Sequence, residues 1–205
     1  MADLWTMIHT ERKALIDDVA ALTDEQWALP SLCAGWSVHD VLAHQVSTSK
    51  MSPLSFFGKF AGSGFNFGKM ADAQIKAEGK GGPAATLAAY QASYTGTNSP
   101  PGPKTTWLGE ALIHSEDMRR PLGIVRAYPA EAVVTALDFF KGSNAIIGAK
   151  NRVDGLALKA TDADWSNGSG PAVEGPAMAL LMAMTGRKAA LDQLTGDGVD
   201  VLRGR

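Results

Sequence analysis

The stretch Gly109-Glu-Ala-Leu-Ile-His-Ser-Glu-Asp117 lies inside the strongest helical segment of the chain, which we predict from about Thr105 to Arg120. Within it, Glu110 and His114 are four residues apart. On a helix this spacing places both side chains on the same face, one turn apart. A carboxylate and an imidazole on one helix face form half of a typical zinc ligand set, although a surface Glu–His pair of this spacing is also common.

A second segment, Trp36-Ser-Val-His-Asp-Val-Leu-Ala-His44, ends on a further histidine. Ser37 is a natural N-cap, with Asp40 in the first turn, and predicts a helix over residues 38–50. His44 alone could be a satisfied core histidine. Together with Glu110 and His114 it completes two imidazoles and one carboxylate, the ligand set of a zinc site that keeps one position open.

The rest of the first 150 residues is also predicted to be helical, with Pro- and Gly-rich breaks between the segments. Further predicted helices are 2–22, 83–94 and 130–141, with a capped turn at Thr23 and Gln26. Apolar residues at helical spacing and short connections are typical of an antiparallel four-helix bundle. We therefore expect a helical domain over residues 1–150.

Residues 51–82 break this pattern, because they mix five phenylalanines with seven glycines. The aromatic content argues against a disordered linker, and the glycines argue against one continuous helix. The composition predicts a short helix, a glycine turn around 62–64 and a second short helix near 69–78. The insert either lines a substrate pocket or is a partly buried connector.

From residue 151 onward the pattern changes to that of a small α/β appendage. Alternation at residues 156–160, an Asn167-Gly168 turn and a return at 172–174 predict a β-hairpin. Short helices are expected at 177–184 and 188–194. Because residues 151–205 are few for an independent fold, we expect them to pack on the bundle.

Composition excludes several classes of protein. A net charge of −2 shows no basic surface for nucleic acid, and no apolar stretch is long enough to span a bilayer. The single cysteine, Cys33, suits a reducing cytoplasm. It could be a nucleophile with His44 as its base, but a small buried thiol is the commoner outcome. His9 and His39 are expected at the surface.

The chain resembles the family of mycothiol-dependent maleylpyruvate isomerase-type proteins, which share a DinB-like metal-binding bundle. The resemblance covers nearly the whole chain. It rests on the two segments above, the first extended to Leu108–Gly123, and on Thr161-Asp-Ala-Asp-Trp165, Gly168-Ser-Gly-Pro171, Glu174-Gly-Pro176, Thr185-Gly-Arg187 and Gly196-Asp-Gly198. The family pattern implies that His44, Glu110 and His114 are the metal ligands.

The resemblance also implies a functional arginine, which corresponds to Arg187 here. A guanidinium suits a carboxylate substrate, although a cation near a helix end is an alternative. Asp117 would orient a ligand imidazole from outside the ligand set, or else pair with Arg119 or Arg120. The prototype isomerase is expected to carry a C-terminal domain larger than residues 151–205.

These observations predict a metalloenzyme that uses mycothiol as its thiol co-substrate and zinc as its most probable metal. A thiolate formed on the metal would add to an electrophilic small molecule, such as an unsaturated dicarboxylate, giving cis–trans isomerisation or thiol transfer. The alternative is a bundle that binds metal or a small ligand without catalysis, with the Phe-rich insert providing specificity. Neither nucleic acid nor membrane is an expected partner, and the sequence does not indicate an oligomeric state.

Overall fold

The computed structural model describes residues 3–145 and 147–205, which divide into two compact units between Val125 and Arg126. The chain is mostly helical, at 59% of residues, with a small three-stranded sheet near the C-terminus. This confirms the predicted fold class, a DinB-like helical bundle followed by a small α/β appendage.

In the N-terminal unit four helices form a bundle, and three others lie between them along the chain. Its elements are α1 (Leu4–Val19), α2 (Asp24–Trp27), α3 (Val38–Lys50), α4 (Pro53–Gly62), α5 (Phe67–Glu78), α6 (Gly82–Ser93) and α7 (Lys104–Arg119). Helix α1 packs against α7 and α6, and α3 packs against the same two helices. The four helices therefore surround one core.

Local sequence signals explain the ends of these helices. Thr23 and Ser37 each form a capping box, in which the side chain accepts from the N3 backbone N–H while the N3 side chain accepts from the cap backbone. Apolar residues spaced by three and four fill the core. Its fully buried members include Leu15, Val19, Val38, Val41, Leu42, Val46, Tyr90 and Met118.

The Phe-rich insert has the predicted organisation of two short helices, α4 and α5. A turn joins them, in which Phe65 adopts a positive φ of 59°. Phe60 stacks on Phe67 with ring centroids 4.4 Å apart, and Phe56 stacks on Phe60 at 5.7 Å. Phe57 and Phe65 remain largely exposed. The insert is therefore an ordered aromatic cluster on the outside of the bundle.

The C-terminal unit contains four helices, a 3-10 helix and the sheet. Its elements are α8 (Ala130–Phe140), α9 (Ala149–Val153), β1 (Ala157–Ala160), β2 (Ser166–Asn167), β3 (Ala172–Gly175), α10 (Ala177–Met184), a 3-10 helix (Lys188–Gln193) and α11 (Val199–Gly204). Every residue of α10 is buried, and α10 packs against α8. Helix α10 is therefore the centre of this unit.

The predicted hairpin around Asn167-Gly168 is wrong. Strand β1 pairs with β3 in parallel and with the short β2 antiparallel, in the order β2-β1-β3. The reversal falls earlier, where Ala160 N–H donates to the Trp165 carbonyl over 2.9 Å. Gly168 and Gly170 instead carry the chain close against the β1 end, at positive φ values of 80° and 126°. Only glycine adopts these angles without strain. The Asn167-Gly168 pair therefore marks a place where the chain passes close to the backbone next to β1, and not a hairpin turn.

Three smaller points complete the comparison with the sequence. The expected helix at 188–194 is a 3-10 helix, and α9 and α11 were not predicted. The domain boundary at residue 150 stays a prediction. The division into two compact units places α8 with the C-terminal elements. Across the described ranges, no helix is both long and apolar enough to cross a membrane.

Candidate metal centre

The three predicted ligands come from two packed helices of the N-terminal unit. His44 lies in the second turn of α3, whose start is set by the Ser37–Asp40 capping box. Glu110 and His114 lie one turn apart on α7. Because α3 packs against α7 within the core, all three side chains meet in one place.

One oxygen lies at the centre of this trio. Oε2 of Glu110 is 3.3 Å from Nε2 of His44 and 3.4 Å from Nε2 of His114. Both distances exceed those of ordinary N–H···O hydrogen bonds, about 2.9–3.0 Å. Two atoms bound about 2.1 Å from one zinc ion at the tetrahedral angle would lie about 3.4 Å apart. The donor set and its spacing therefore fit a tetrahedral zinc ion with a fourth position left over.

The trio is mostly buried and still open to solvent. The side chains of His44, Glu110 and His114 are 17%, 27% and 12% exposed. A closed structural site would be expected to exclude solvent and supply a fourth protein ligand. This exposure fits a centre that small molecules can reach.

Glu110 and His114 form a strongly coupled pair. Burial lowers the pKa of His114, but the Glu110 carboxylate and hydrogen bonds with Asp117, Cys33 and Glu110 outweigh it and hold that pKa well above its ordinary value. Burial raises the pKa of Glu110, but both imidazoles outweigh it and hold this pKa well below its ordinary value. Without a cation, the site holds an imidazolium facing a carboxylate.

Asp117 lies on the opposite edge of the His114 ring. Its Oδ2 is 2.9 Å from His114 Nδ1, and its side chain is fully buried. An ionised carboxylate only accepts, so Nδ1 carries the proton of this hydrogen bond. The other nitrogen, Nε2, is thereby left to face Glu110, where it could bind a metal.

Two further residues lie next to the trio: Trp36, which the sequence reasoning did not single out, and Cys33, which it considered only as a nucleophile or a small buried thiol. Cys33 is half-buried, with Sγ 3.1 Å from Asp117 Oδ2 and 3.6 Å from His114 Nδ1. The indole of Trp36 lies beside both ligand imidazoles, with ring centroids 5.2 Å from His44 and 6.5 Å from His114. The sequence signal for either residue was its position in the loop just before α3, the helix that carries His44. Among the described residues, Cys33, His114 and Asp117 form the second of two groupings that could hold a metal.

Three other predicted residues each have contacts of their own. Arg187 belongs to the C-terminal unit, is half-buried and donates from Nη1 to the Thr185 carbonyl over 3.0 Å. His39 is half-buried rather than solvent-directed, because its Nε2 lies 2.9 Å from Thr86 Oγ1. His9 is also half-buried, with Nε2 3.3 Å from the Gly96 carbonyl.

The insert forms one shallow groove, of about 210 Å³, between α4 and α5. Its lining mixes apolar and charged side chains: Lys59, Ser63, Met70, Ala73, Gln74, Ala77 and Glu78. None of the phenylalanines is among them. This groove is therefore not an apolar pocket walled by the phenylalanines of the insert.

Comparison with known structures confirms the fold. The chain is similar to a crystal structure described as the mycothiol-dependent maleylpyruvate isomerase, with 15% identity and a TM-score of 0.64 over 95% of this chain and 91% of that one. A histidine-to-alanine mutant of that isomerase matches over the same shares, with 14% identity and a TM-score of 0.63. These coverages argue against the expectation that the prototype carries a larger C-terminal domain, because 91% of its chain aligns with this one.

The sequence itself carries the family signal. No curated protein matches the chain in a sequence comparison. The family model described as the mycothiol maleylpyruvate isomerase N-terminal domain matches residues 8–138, well over half of the chain, and that stretch contains all three predicted ligands. Family and fold together support an enzyme of the mycothiol-dependent isomerase type. The chain belongs to the mycothiol maleylpyruvate isomerase N-terminal domain family.

Proposed function

We propose that this protein is a mycothiol-dependent metalloenzyme in which His44, Glu110 and His114 hold a divalent ion, with zinc the best fit. The observation that carries the proposal is the single Glu110 oxygen placed 3.3 and 3.4 Å from two imidazole nitrogens. Two neutral histidines and one carboxylate are the ligand set of catalytic zinc sites that keep an open position.

When bound, a zinc ion would keep a coordinated thiol deprotonated at neutral pH, whereas a thiol free in solution has a pKa of about 8.5. The residues around it have separate tasks. Glu110 supplies negative charge between the two imidazoles. Asp117 accepts from His114 Nδ1 and fixes the orientation of that ring. Trp36 lies beside the two imidazoles and forms the apolar edge of the site.

The proposed reaction begins with addition of the mycothiol sulfur to an electrophilic carbon of an unsaturated acid. A sulfur–carbon bond forms, and the π electrons move onto the conjugated carbonyl. Rotation about the resulting single bond, return of the electrons and loss of the sulfur would give the isomerised double bond. Protonation of the carbanion instead would leave the thiol attached, which is thiol transfer.

Arg187 is the proposed anchor for a substrate carboxylate or for a polar group of the thiol. A guanidinium binds a carboxylate through two parallel hydrogen bonds, which orients the acid as well as attracting it. The proposed partners are therefore small molecules, an unsaturated dicarboxylate among them, and the proposed location is the cytoplasm.

The test combines metal analysis with a turnover assay using mycothiol and maleylpyruvate. Wild-type protein should contain or take up about one zinc per chain and convert the substrate, and His44→Ala should lose both properties. The matched control is His39→Ala, which removes an imidazole from the same helix outside the trio. Wild-type protein that takes up neither zinc nor nickel would refute the proposal. Metal uptake without turnover over a panel of unsaturated acids would favour a non-catalytic binding protein.

A further inference from the structure

We infer that Cys33 is a positioning residue of the metal centre, because its thiol holds Asp117 in place against His114. The inference rests on the proposed function, since it assumes that His114 binds a metal. It assigns a task to the one cysteine of the chain, which lies on a different segment from every ligand.

The geometry places Cys33 outside the ligand set but in contact with it. Oδ2 of Asp117 lies 3.1 Å from Cys33 Sγ and 2.9 Å from His114 Nδ1. Since an ionised carboxylate only accepts, the thiol S–H and the imidazole N–H both donate to the same oxygen. Glu110 faces the other nitrogen of the ring, Nε2. A metal bound through Nε2 therefore has the His114 ring between itself and Cys33.

The backbone around Cys33 reinforces this arrangement. The neighbouring Leu32 N–H donates to the Asp117 carbonyl over 3.0 Å, so consecutive residues hold both the main chain and the side chain of Asp117. Ser31 Oγ accepts from Cys33 N–H over 3.1 Å, and Trp36 N–H donates to the Cys33 carbonyl over 3.0 Å. The loop between α2 and α3 is thus folded on itself and presents the thiol in one place.

The consequence of losing the thiol follows from the burial of Asp117. A buried carboxylate is costly unless its oxygens receive hydrogen bonds. Without the S–H donor, Asp117 Oδ2 keeps its hydrogen bond with His114 but loses the hydrogen bond from the loop between α2 and α3. Partners that orient a metal-binding histidine typically change metal affinity by about 10- to 100-fold when they are removed. Cys33 acts one step further out, so we expect an effect near the lower figure.

The experiment is a titration of metal-stripped protein with Zn²⁺ and Co²⁺, comparing wild type with Cys33→Ala, Cys33→Ser, Asp117→Asn and the double variant Cys33→Ala/Asp117→Asn. Cys33→Ala should weaken the Kd about tenfold. Cys33→Ser keeps a donor and should restore most of the affinity. The double variant should bind no more weakly than Asp117→Asn, because the thiol acts through Asp117. Ser93→Ala removes a half-buried hydroxyl elsewhere in the bundle and should leave the Kd unchanged.

Three results would overturn the inference. Cys33→Ala could bind as tightly as wild type, or the two single effects could multiply in the double variant. A sulfur-to-cobalt absorption band that disappears in Cys33→Ser would make Cys33 a ligand instead. Failure of the proposed function is distinguishable, because then the wild type itself binds no metal. If Cys33→Ala fails to fold, Cys33→Ser still distinguishes a positioning residue from a ligand. Replacing a ligand cysteine with serine would lower the metal affinity and also remove the sulfur-to-cobalt absorption band.

Discussion

Oε2 of Glu110 lies 3.3 Å from Nε2 of His44, across 66 residues of sequence. The same oxygen lies 3.4 Å from Nε2 of His114, so Glu110 is the shared neighbour of both imidazoles. A cation at this point would receive one charged and two neutral donors. Replacing Glu110 is therefore the most direct test of whether the three side chains act as one site.

Glu110→Gln should abolish stable zinc binding while the protein still folds. The amide keeps the shape of the side chain but removes the only charge among the three donors. Equilibrium dialysis with elemental analysis would measure the loss. Glu116→Gln serves as the control, because Glu116 lies on the same helix and pairs with Arg120 at 2.7 Å, and it should retain full metal content. Equal metal content in both variants would exclude the trio as the site.

The stabilising effect of zinc should grow as the pH rises. The folded-state pKa of His114 lies well above its ordinary value, which is about 6.5 for the unfolded chain. Its protonated form thus stabilises the metal-free fold below about pH 6.5, and this contribution is lost as the pH rises through the folded-state pKa. Zinc must displace the same proton, so competition extends to higher pH than two unperturbed histidines would cause.

Thermal melts with and without zinc at pH 6.5 and 8.5 would check this. At saturating metal the gain follows RT ln(1 + [L]/Kd), about 2.7 kcal/mol at a hundredfold excess over Kd. The increase in Tm should be larger at pH 8.5. The depressed pKa of Glu110 acts in the opposite sense for the metal-free fold, adding stability above about pH 4.3 that is lost as the pH falls through its folded-state pKa. A zinc-induced shift independent of pH would contradict the assigned coupling.

Asp18→Ala should destabilise the protein far more than Asp17→Ala. Asp18 Oδ2 pairs at 2.7 Å with Arg119, whose side chain is completely buried, and losing the partner of a buried charge typically costs about 3–5 kcal/mol. Because Asp18 itself is 28% exposed, we expect about 2–3 kcal/mol. Asp17 pairs with Lys13 where both side chains are more than half exposed, and this pair should contribute less than about 1 kcal/mol. Urea denaturation would measure both, and similar losses would refute the assignment of Arg119 as a buried charge that needs Asp18.

Arg187→Ala separates a substrate contact from a structural one. If Arg187 binds a substrate carboxylate, metal content should be unchanged while kcat/KM for an anionic substrate falls at least about tenfold, and Arg187→Lys should recover little. If it is only a cation near the C-terminal end of α10, where it donates to the Thr185 carbonyl, stability should change by less than about 1 kcal/mol and activity should stay near wild type. Steady-state kinetics with mycothiol would distinguish the two.

Two glycines should respond to alanine in opposite directions. Gly58 lies inside α4 in open space, so Gly58→Ala should stabilise the fold by about 0.5–1 kcal/mol through helix propensity. Gly170 has a φ of 126°, and a Cβ there would collide with the Gly155 carbonyl oxygen, so Gly170→Ala should destabilise. Thermal melts of the two variants would check the sign of each change.

Much of the bundle could be predicted from sequence because its signals are local. The capping boxes at Thr23 and Ser37, and the prolines at 53 and 83, mark helix starts without reference to distant residues. Helix α3 has the predicted bounds for the same reason. The trio of His44, Glu110 and His114 could be proposed from the sequence because Glu110 and His114 share a helix face.

The parts that failed depend on contacts between distant segments. Asn167-Gly168 satisfies the pattern of a hairpin turn, but the pairing of β1 with β3 is decided by glycines that approach backbone 12 to 15 residues earlier. The environment of Cys33 depends on Asp117, 84 residues away. Sequence spacing carries no information about such neighbours, so the thiol was predicted as a small buried group or a nucleophile beside His44, and its contact with Asp117 was missed.

The 66-residue separation of His44 and Glu110 also determines when the centre can assemble. Neither helix alone holds all three donors, and closing a long loop must precede their meeting. The ion would then attach after the rate-limiting step of folding. Metal would leave the refolding rate nearly unchanged and slow unfolding instead, so its benefit to the protein would be a longer lifetime of the native state.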